Sequence, residues 1–376
     1  MSTSTSPGTT TTHGGHVDRI FNFSAGPAAL PEEIIQKAQQ DIWNIHGSGI
    51  GILEHSHRGP VFDRVLAEAE EACRRVSGLG DDWEILFIQG GATTQFAMMP
   101  MNFLPADGTA DYLDTGVWAH KSIAEARHFG NVNVAFDGTQ CNYDHVPGSD
   151  EINQTEGAAY FHYCSNNTVF GTRFENIPDS DSPLICDTSS EMFGRPFDWD
   201  RHCAIYAGAQ KNLGPSGVAL VLLKKDFAEQ GRTDLPSMFC YARHSKAGSR
   251  LNTPPTFGIY MMGQVFNWIH EQGGLTEMER RNSEKSSIIY DAIDTSGGFY
   301  TGLAQESSRS HMNVSFRLPT EELDDRFVEE AAAEKMDGLK GHRDAGGIRA
   351  SIYNAFPREG CECLASFMKE FAARNG

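Results

Sequence analysis

The sequence predicts an α/β protein: a large domain with a mainly parallel, seven-stranded sheet covered by helices, followed by a smaller C-terminal α/β domain. Two observations support this prediction. Between residues 84 and 223, short apolar runs alternate with amphipathic segments, which is typical of a parallel sheet with helices on both faces. After residue 224 the pattern changes to longer helical segments with few strand-like runs. We expect the large domain to span residues 18–270 and the smaller one residues 271–376.

Each element follows from the local sequence. The first helix begins at Pro31, a residue suited to the first turn, and reaches about Trp43; the second has apolar residues at helical spacing from Val61 to Val76. Seven apolar runs predict the strands of the large sheet: 84–88, 110–114, 131–136, 158–164, 183–188, 203–207 and 218–223. Further helices are predicted at 93–103, 119–129, 258–272, 275–295, 321–335 and 358–374, and further strands at 312–318 and 347–352.

Two segments are predicted to lack regular structure of their own. Residues 20–30 are extended and are a candidate to pack on the smaller domain. Residues 137–156 are irregular and acidic, and we expect them to form a surface loop.

The 376-residue chain carries a formal net charge of −19, which argues against nucleic acid and anionic membranes as partners. No apolar run approaches the roughly 20 residues of a membrane span. Residues 1–17 are polar and of low complexity, without the features of a targeting signal, so we expect a disordered tail and a cytoplasmic protein. Eight cysteines without a zinc-type CxxC pair favour a reducing compartment and predict no metal site.

One lysine, Lys211, occupies a glycine-rich loop between two apolar runs, Cys203–Ala207 and Val218–Leu223. Both runs are predicted to be buried strands. A lysine held between them would be partly buried, and burial lowers the pKa of a lysine and leaves its amine neutral for nucleophilic chemistry. An ordinary surface lysine fits the same loop, so the interpretation depends on residues elsewhere in the chain.

Three further candidates lie at or just after predicted strand ends: Asp187, Trp118 and Thr168. The carboxyl ends of parallel strands line the ligand crevice of such sheets. A carboxylate there can keep a heterocyclic nitrogen protonated, and a tryptophan can stack on a planar ring. The turn Gly90–Thr94 joins a strand to a helix, whose N-terminus can bind an anion. Each feature alone has a plainer explanation: a helix cap for Asp187 and the turn, and core packing for Trp118.

Two basic clusters stand out in an acidic chain. One is His57-Arg58, and the other is His342-Arg343, with Arg349 shortly after it. Arginine forks bind carboxylates and phosphates through two parallel hydrogen bonds, although solvated surface charge explains either cluster alone. Together with the loop lysine and the strand-end aspartate, these residues match what pyridoxal phosphate requires: an amine for the aldehyde, an acid for the ring nitrogen and donors for the phosphate.

Eight stretches carry a more specific signal. They are FNFSAGPAALPEE near the start, SHRG at 56–59, GGATTQF at 90–96, HYCSNNTVFG at 162–171, CDTSSEMFGRP at 186–196, YAGAQKNLGPSG at 206–217, LNTPPTF at 251–257 and LKGHRDAGGIRASIYNA at 339–355. In this order they resemble the phosphoserine aminotransferase family, a class V branch of the fold-type I pyridoxal-phosphate enzymes. The resemblance covers about residues 20–376.

The resemblance implies a role for each candidate. Lys211 would bond covalently to pyridoxal phosphate, Asp187 would pair with its ring nitrogen, and Trp118 would stack on the ring. Thr168 would bind near the ring oxygen. The cofactor phosphate would be held by Ala92, Thr93 and Gln210 and, from the neighbouring subunit of a homodimer, by Asn252 and Thr253.

Substrate binding follows from the same resemblance. Arg349 would bind the α-carboxylate of the substrate. Two pairs from different subunits would bind its distal anionic group: His57 with Arg58, and His342 with Arg343. The implied reaction is amino transfer from L-glutamate to 3-phosphooxypyruvate, which gives 2-oxoglutarate and O-phospho-L-serine in serine biosynthesis.

Two other functions stay open at this point. A cysteine desulfurase of the same class needs a nucleophilic cysteine on a mobile loop, whereas Cys361 and Cys363 fall in a predicted helix and Cys240 has no basic neighbour closer than Arg243. A non-catalytic α/β binding protein is the second alternative, and the intact lysine and aspartate count against it.

Overall fold

A computed structural model describes residues 19–376; the predicted disordered tail at residues 1–17 lies outside these residues. The strands are β1 (Phe21–Asn22), β2 (Trp83–Gln89), β3 (Thr109–Asp114), β4 (Asn131–Asp137), β5 (Phe161–Cys164), β6 (Leu184–Asp187), β7 (His202–Gly208), β8 (Val218–Lys224), β9 (Thr301–Gly302), β10 (Asn313–Arg317), β11 (Met336–Asp337) and β12 (Ile348–Ser351). The α-helices are α1 (Glu32–Asn44), α2 (Pro60–Ser77), α3 (Ala92–Phe103), α4 (Val117–Ala126), α5 (Lys225–Ala228), α6 (Tyr241–Lys246), α7 (Thr256–Glu271), α8 (Gly274–Asp294), α9 (Glu321–Ala333) and α10 (Arg358–Asn375).

Seven strands form the large sheet in the order β2-β8-β7-β6-β5-β3-β4. Strands β4, β3, β5, β6 and β7 pair in parallel, whereas β8 runs antiparallel to both β7 and β2. The short loop between β7 and β8 explains this edge, because a parallel pair needs a crossover of roughly a dozen residues or more. The predicted α/β fold with a mainly parallel seven-stranded sheet is confirmed.

The sheet is buried on both faces, and β8 illustrates the alternation. Leu220 and Leu222 point into a core shared with α2 and α7, whereas Val221 and Leu223 point into a core shared with α3 and α4. Side chains alternate between faces along a strand, so a strand covered on both sides reads as a continuous apolar run. These continuous apolar runs are the pattern that predicts the strands from the sequence.

A separate hydrophobic core lies in the C-terminal part of the chain. Strands β10 and β12 of the sheet β12-β10-β9 and the helices α8, α9 and α10 contribute to it. The N-terminal segment joins this core, because Phe23 is fully buried in it and β1 pairs in parallel with β11. A boundary between two domains near residue 270 stays a prediction.

Some elements differ from their predicted bounds. Strand β5 begins at Phe161 rather than at residue 158, and the short helices α5 and α6 were not predicted. The segment predicted as an irregular loop contains two 3₁₀ turns, Gly138–Cys141 and Ser149–Glu151. Within residues 19–376, no helix combines the length and apolar character needed to cross a membrane.

Candidate active site

Lys211 lies in the loop between β7 and β8, close to residues that follow two other strands. Its side chain is buried, and Nζ donates a hydrogen bond to Thr168 Oγ1 at 2.5 Å. The same Nζ lies 5.8 Å from the ring centroid of Trp118. Two residues that are far apart in sequence, Thr168 and Trp118, therefore lie next to one buried amine.

These residues lie at or shortly after the carboxyl ends of the parallel strands. Asp187 ends β6 and is aligned with Cys164 at the end of β5 and with Tyr206 near the end of β7. Thr168 follows β5, and Trp118 lies in the first turn of α4, which follows β3. A crevice at this edge is the usual ligand site of a doubly wound sheet.

Burial controls the protonation of the two ionisable groups. Desolvation lowers the pKa of Lys211 to about 8, although the Asp187 carboxylate opposes the shift. Desolvation raises the pKa of Asp187, and hydrogen bonding by Ser189 and the charge of Lys211 oppose that shift. The Ser189 backbone N–H donates to Asp187 Oδ1 at 2.8 Å, which fixes the carboxylate at the strand end.

The end of β7 meets the N-terminus of α3 at Gly208. A Cβ atom added to Gly208 would lie 2.7 Å from Gln210 Oε1 and 3.4 Å from the Ala92 backbone nitrogen. Ala92 is the first residue of α3, and exposed Thr93 follows it. Helix N-termini attract anions through their unpaired N–H groups, so Ala92 and Gln210 border one potential phosphate site.

His342 and Arg349 reach the same crevice from the C-terminal part of the chain. The rings of His342 and Trp118 are 6.4 Å apart in an edge-to-face arrangement. Arg349 lies on β12; desolvation lowers its pKa, and its buried Nε has no hydrogen-bond partner among the described residues. The neighbouring Arg343 side chain is 84% exposed and lies 3.5 Å from Asp344.

Four of the predicted residues form local contacts or are exposed: His57, Arg58, Asn252 and Thr253. His57 and Arg58 occupy the loop before α2, where Arg58 Nε contacts His57 Nε2 at 3.3 Å. Asn252 Nδ2 donates to Gln89 Oε1 at 2.6 Å, and Thr253 is exposed. Among the described residues, no hydrogen bond joins any of these four side chains to Lys211.

Two polar residues near the site, Ser189 and Lys121, were not predicted. Ser189 Oγ accepts a hydrogen bond from the Gly208 backbone N–H at 3.0 Å, which ties Asp187 to the loop of Lys211. Lys121 Nζ lies 4.5 Å from the Trp118 ring centroid. This last contact had a sequence signal, because residues three apart on a helix are neighbours.

The comparisons with known proteins agree with this arrangement. The family model described as Aminotransferase class-V matches residues 20–364. A phosphoserine aminotransferase of Herpetosiphon aurantiacus is 48% identical over 358 residues, covering 95% of this chain and 99% of that protein. This chain belongs to the phosphoserine aminotransferase family.

Solved structures of the phosphoserine aminotransferase family match the fold as well. The enzyme from Bacillus circulans subsp. alkalophilus is 48% identical with a TM-score of 0.93, and the match covers 95% of this chain and 99% of that one. A phosphoserine aminotransferase from Trichomonas vaginalis, described as bound to pyridoxal phosphate, is 37% identical with a TM-score of 0.88 and coverage of 93% and 100%.

Proposed function

We propose that this protein is a pyridoxal-phosphate-dependent transaminase that transfers an amino group from L-glutamate to 3-phosphooxypyruvate. The products are 2-oxoglutarate and O-phospho-L-serine, a step of serine biosynthesis. One observation carries the proposal: in a chain 48% identical to a phosphoserine aminotransferase, a buried lysine lies beside a buried aspartate, a threonine and a tryptophan at one sheet edge.

The residues of the crevice fit the cofactor. Trp118 Nε1 and Arg349 Nε are buried without hydrogen-bond partners among the described residues, as expected where a polar ligand is to bind. Gly208 leaves open the space between Gln210 and the N-terminus of α3 that a Cβ would fill. When bound, pyridoxal phosphate supplies an aldehyde that bonds to amines and a pyridinium ring that accepts the electron pair left at Cα.

Lys211 supplies the base. A pKa of about 8 leaves a substantial neutral fraction at neutral to mildly alkaline pH, so Nζ can accept the proton that leaves the substrate Cα. Its hydrogen bond to Thr168 Oγ1 holds Nζ in one position. Asp187, as a carboxylate in the same buried crevice, would hold a proton on the ring nitrogen by a charge-assisted hydrogen bond.

Arginine and histidine side chains account for substrate choice. Arg349, half-buried with a free Nε, would bind the α-carboxylate that every amino acid carries. His342, beside Trp118, and Arg343 would bind the distal phosphate or carboxylate. Arginine forks suit both groups, so one set of side chains can serve glutamate and phosphoserine in turn.

A homodimer would complete the site. Of the exposed large hydrophobic side chains, four lie close together in sequence, and we call them the α1 patch: Ile42, Trp43, Ile50 and Leu53. Trp43 is 84% exposed, and clustered exposed apolar residues mark interaction surfaces. The loop with His57 and Arg58 follows directly, so a second copy covering the α1 patch would carry this pair towards the neighbouring crevice.

The same dimer would use Asn252 and Thr253 across the interface. Asn252 bonds to Gln89, which ends β2 just before the turn into α3.

A cytoplasmic location is also proposed, because all eight cysteines are free and disulfides are rare in reducing compartments.

Borohydride trapping tests the proposal directly. The purified protein is incubated with pyridoxal phosphate, reduced and digested, and the modified lysine is identified by mass spectrometry while amino transfer is assayed in parallel. We expect modification at Lys211, with loss of both modification and amino transfer in Lys211→Ala and retention of both in Lys246→Ala. Amino transfer by Lys211→Ala at the parental rate, or modification at another lysine, would overturn the assignment.

Substrate preference tests the second half of the proposal. Each charge-assisted hydrogen bond contributes roughly 1.5–3 kcal/mol, so phosphoserine should react several orders of magnitude faster than alanine. Arg343→Ala should reduce kcat/KM for phosphoserine and glutamate but hardly for alanine, whereas Arg349→Ala should reduce it for all three. Equal losses for all three amino acids in Arg343→Ala would remove that residue from the distal subsite.

A further inference from the structure

A second cluster of chemically reactive side chains lies in the crossover between β4 and β5, outside the crevice. Cys141, Asp144 and His145 each present one ligand atom, and these atoms all lie within 4.8 Å of one another. All three residues are half-buried. We propose that they bind a single Zn²⁺ ion, or a transition metal ion with the same ligand preferences.

The donor set selects the metal. A thiolate, an imidazole nitrogen and a carboxylate oxygen are together the usual protein ligands of Zn²⁺, with bonds of about 2.0–2.3 Å. Calcium and magnesium require oxygen ligands, so the Cys141 sulfur disfavours them. Three protein ligands leave the fourth tetrahedral position to water, which the half-buried location can supply.

Binding replaces two existing contacts. His145 Nδ1 now lies 2.6 Å from Asp144 Oδ1, and Cys141 Sγ donates to the Gly138 carbonyl at 3.3 Å. A tetrahedral ion with bonds of about 2.0–2.3 Å holds its ligand atoms roughly 3.3–3.7 Å apart. His145 Nδ1 and Asp144 Oδ1 must therefore move apart by about 1 Å. The thiol proton is released to solvent as the metal–sulfur bond forms.

The outer contacts support the ligands. His145 Nε2 lies 3.2 Å from Glu151 Oε1, so Nε2 can carry the ring proton and leave Nδ1 as the metal-binding nitrogen. Metal-bound histidines commonly donate their second N–H to a carboxylate in this way. Glu151 is held in turn by the Gly148 backbone N–H at 2.9 Å. Gln305 Nε2 donates to Asp144 Oδ2 at 3.0 Å, leaving Oδ1 for the ion.

The position of the cluster defines what an ion would do. The Gln305 backbone N–H donates to the Asp144 carbonyl at 2.8 Å, so the crossover is already joined to the segment before β10. Tyr143, between two of the ligands, packs against Phe170 at 4.9 Å between ring centroids. A bound ion would therefore stabilise the contact between the crossover and the C-terminal part of the chain, with no part in amino transfer.

The test uses the holoenzyme with Zn²⁺ as the probe. Protein stripped with a chelator is incubated with Zn²⁺ and gel-filtered, and its metal content is measured by mass spectrometry. We expect about one more equivalent per chain in the parent than in the double variant Cys141→Ser, His145→Asn. Cys363→Ser, which changes an exposed cysteine on α10, serves as the control and should match the parent.

Two further readouts separate this site from adventitious binding. Substitution with Co²⁺ should give the visible bands of a tetrahedral thiolate site, at wavelengths beyond the cofactor absorption, and Cys141→Ser should abolish them. Glu151→Gln should weaken Zn²⁺ binding by about 10- to 100-fold, whereas Asp150→Asn should not. Equal zinc content in the parent and the double variant, including none in either, would overturn the proposal.

Discussion

The chemistry of Lys211 depends on how far burial shifts its protonation. The ordinary lysine pKa is near 10.5, and desolvation in the crevice lowers it to about 8. A neutral amine bonds to an aldehyde, whereas an ammonium does not. The protonated form is favoured below the folded-state pKa, so the reactive fraction rises with pH and is nearly complete above about 9.

The first prediction concerns the rate at which the cofactor-free protein captures pyridoxal phosphate. This rate should rise with pH to a plateau, with a midpoint near 8 set by Lys211. Stopped-flow absorbance at a series of pH values measures it, and a simple lysine derivative provides the reference for titration of the cofactor itself. A midpoint as high as that of the derivative would mean that the amine is solvated in the folded protein.

The second prediction is for Asp187→Asn. Asparagine fits the same space but cannot hold a proton on the ring nitrogen, so the protein should fold and bind cofactor yet transfer amino groups slowly. Loss of a charge-assisted hydrogen bond costs roughly 1.5–3 kcal/mol, which corresponds to a rate loss of at least about 10- to 150-fold. Single-turnover kinetics with glutamate measure the loss, and the exposed Asp179→Asn is the control. An unchanged half-reaction would leave Asp187 with a structural role only, as the acceptor for the Ser189 N–H in the turn after β6.

At the scale of elements, one buried lysine joins α8 to the turn after β12. Lys285 Nζ donates to the carbonyls of Ile352, Tyr353 and Phe356 at 3.0, 2.6 and 3.1 Å. An ammonium has three N–H donors, and here each has a partner. Burial lowers the pKa of Lys285 to about 7, whereas the three carbonyls favour its charged form. This contact fixes the end of the strand that bears Arg349.

The third prediction follows from that contact. Lys285→Met keeps the apolar stem but leaves three carbonyls without donors, and each unsatisfied buried group costs about 1–3 kcal/mol. We expect the free energy of unfolding to fall by about 2–4 kcal/mol, because part of the turn can take up water. Urea unfolding measures the loss, and Lys369→Met on the exposed face of α10 is the matched control. Equal midpoints for the two variants would contradict this role.

The sequence indicated some elements well and others poorly, for physical reasons. Val218–Leu223 reads as a strand because both of its faces are buried, and Asp187 was predictable as a strand-end residue. Tyr241–Lys246 is too short for helical periodicity to be visible. The approach of His342 to Trp118 depends on a loop that returns through Gly346 and Gly347, both at positive φ, and no local pattern encodes that path.

The crossover between β4 and β5 shows a different limit. Its acidic, irregular sequence predicted a solvated loop, and the absence of CxxC pairs predicted no metal site. Cys141, Asp144 and His145 converge because the two residues that follow the 3₁₀ turn Gly138–Cys141, Asn142 and Tyr143, both have positive φ and turn the chain back. Spacing rules for metal sites describe recurring local motifs, and Cys141, Asp144 and His145 match none of them, so this cluster is visible only in three dimensions.

At the scale of the whole molecule, the fourth prediction uses hybrid dimers. If the α1 patch is the dimer contact and Arg58 serves the partner's crevice, a hybrid of Lys211→Ala and Arg58→Ala subunits has one intact site. Random mixing of the two inactive variants should then restore about a quarter of the parental activity. About half of the dimers are hybrids, and each hybrid has one intact site out of two.

A matched pair of variants sharpens this experiment. His342 lies beside Trp118 of its own chain, so Arg343 should act with its own Lys211. Mixing Lys211→Ala with Arg343→Ala should therefore restore nothing. Recovery in this second mixture, or none in the first despite proven exchange of subunits, would reverse the proposed assignment of the two pairs.

The fifth prediction concerns acid. His162 and His202 are buried, and desolvation lowers their pKa values from 6.5 to about 3 and about 4. Unfolding lets both bind protons below about pH 6.5, so stability is full above that pH and falls by about 1.4 kcal/mol per pH unit for each histidine as pH decreases towards 4. Urea unfolding between pH 7 and 5 should show this slope. His202→Gln should reduce the slope by the contribution of one histidine, about 1.4 kcal/mol per pH unit. The exposed His128→Gln should leave the slope unchanged.

The pairing of β1 with β11 has a consequence for how the protein is made. Phe23 lies near the start of the described residues and is synthesised early, yet its ring packs 4.4 Å from that of Phe356, and the strand just before it, Phe21–Asn22, pairs with Met336–Asp337. Domains generally fold as units during synthesis. The large sheet can therefore form before the last part of the chain, which contains the partners of this segment, has been synthesised. Residues 21–23 are therefore synthesised early but are among the last to be buried, and a chaperone would meet them exposed for most of translation.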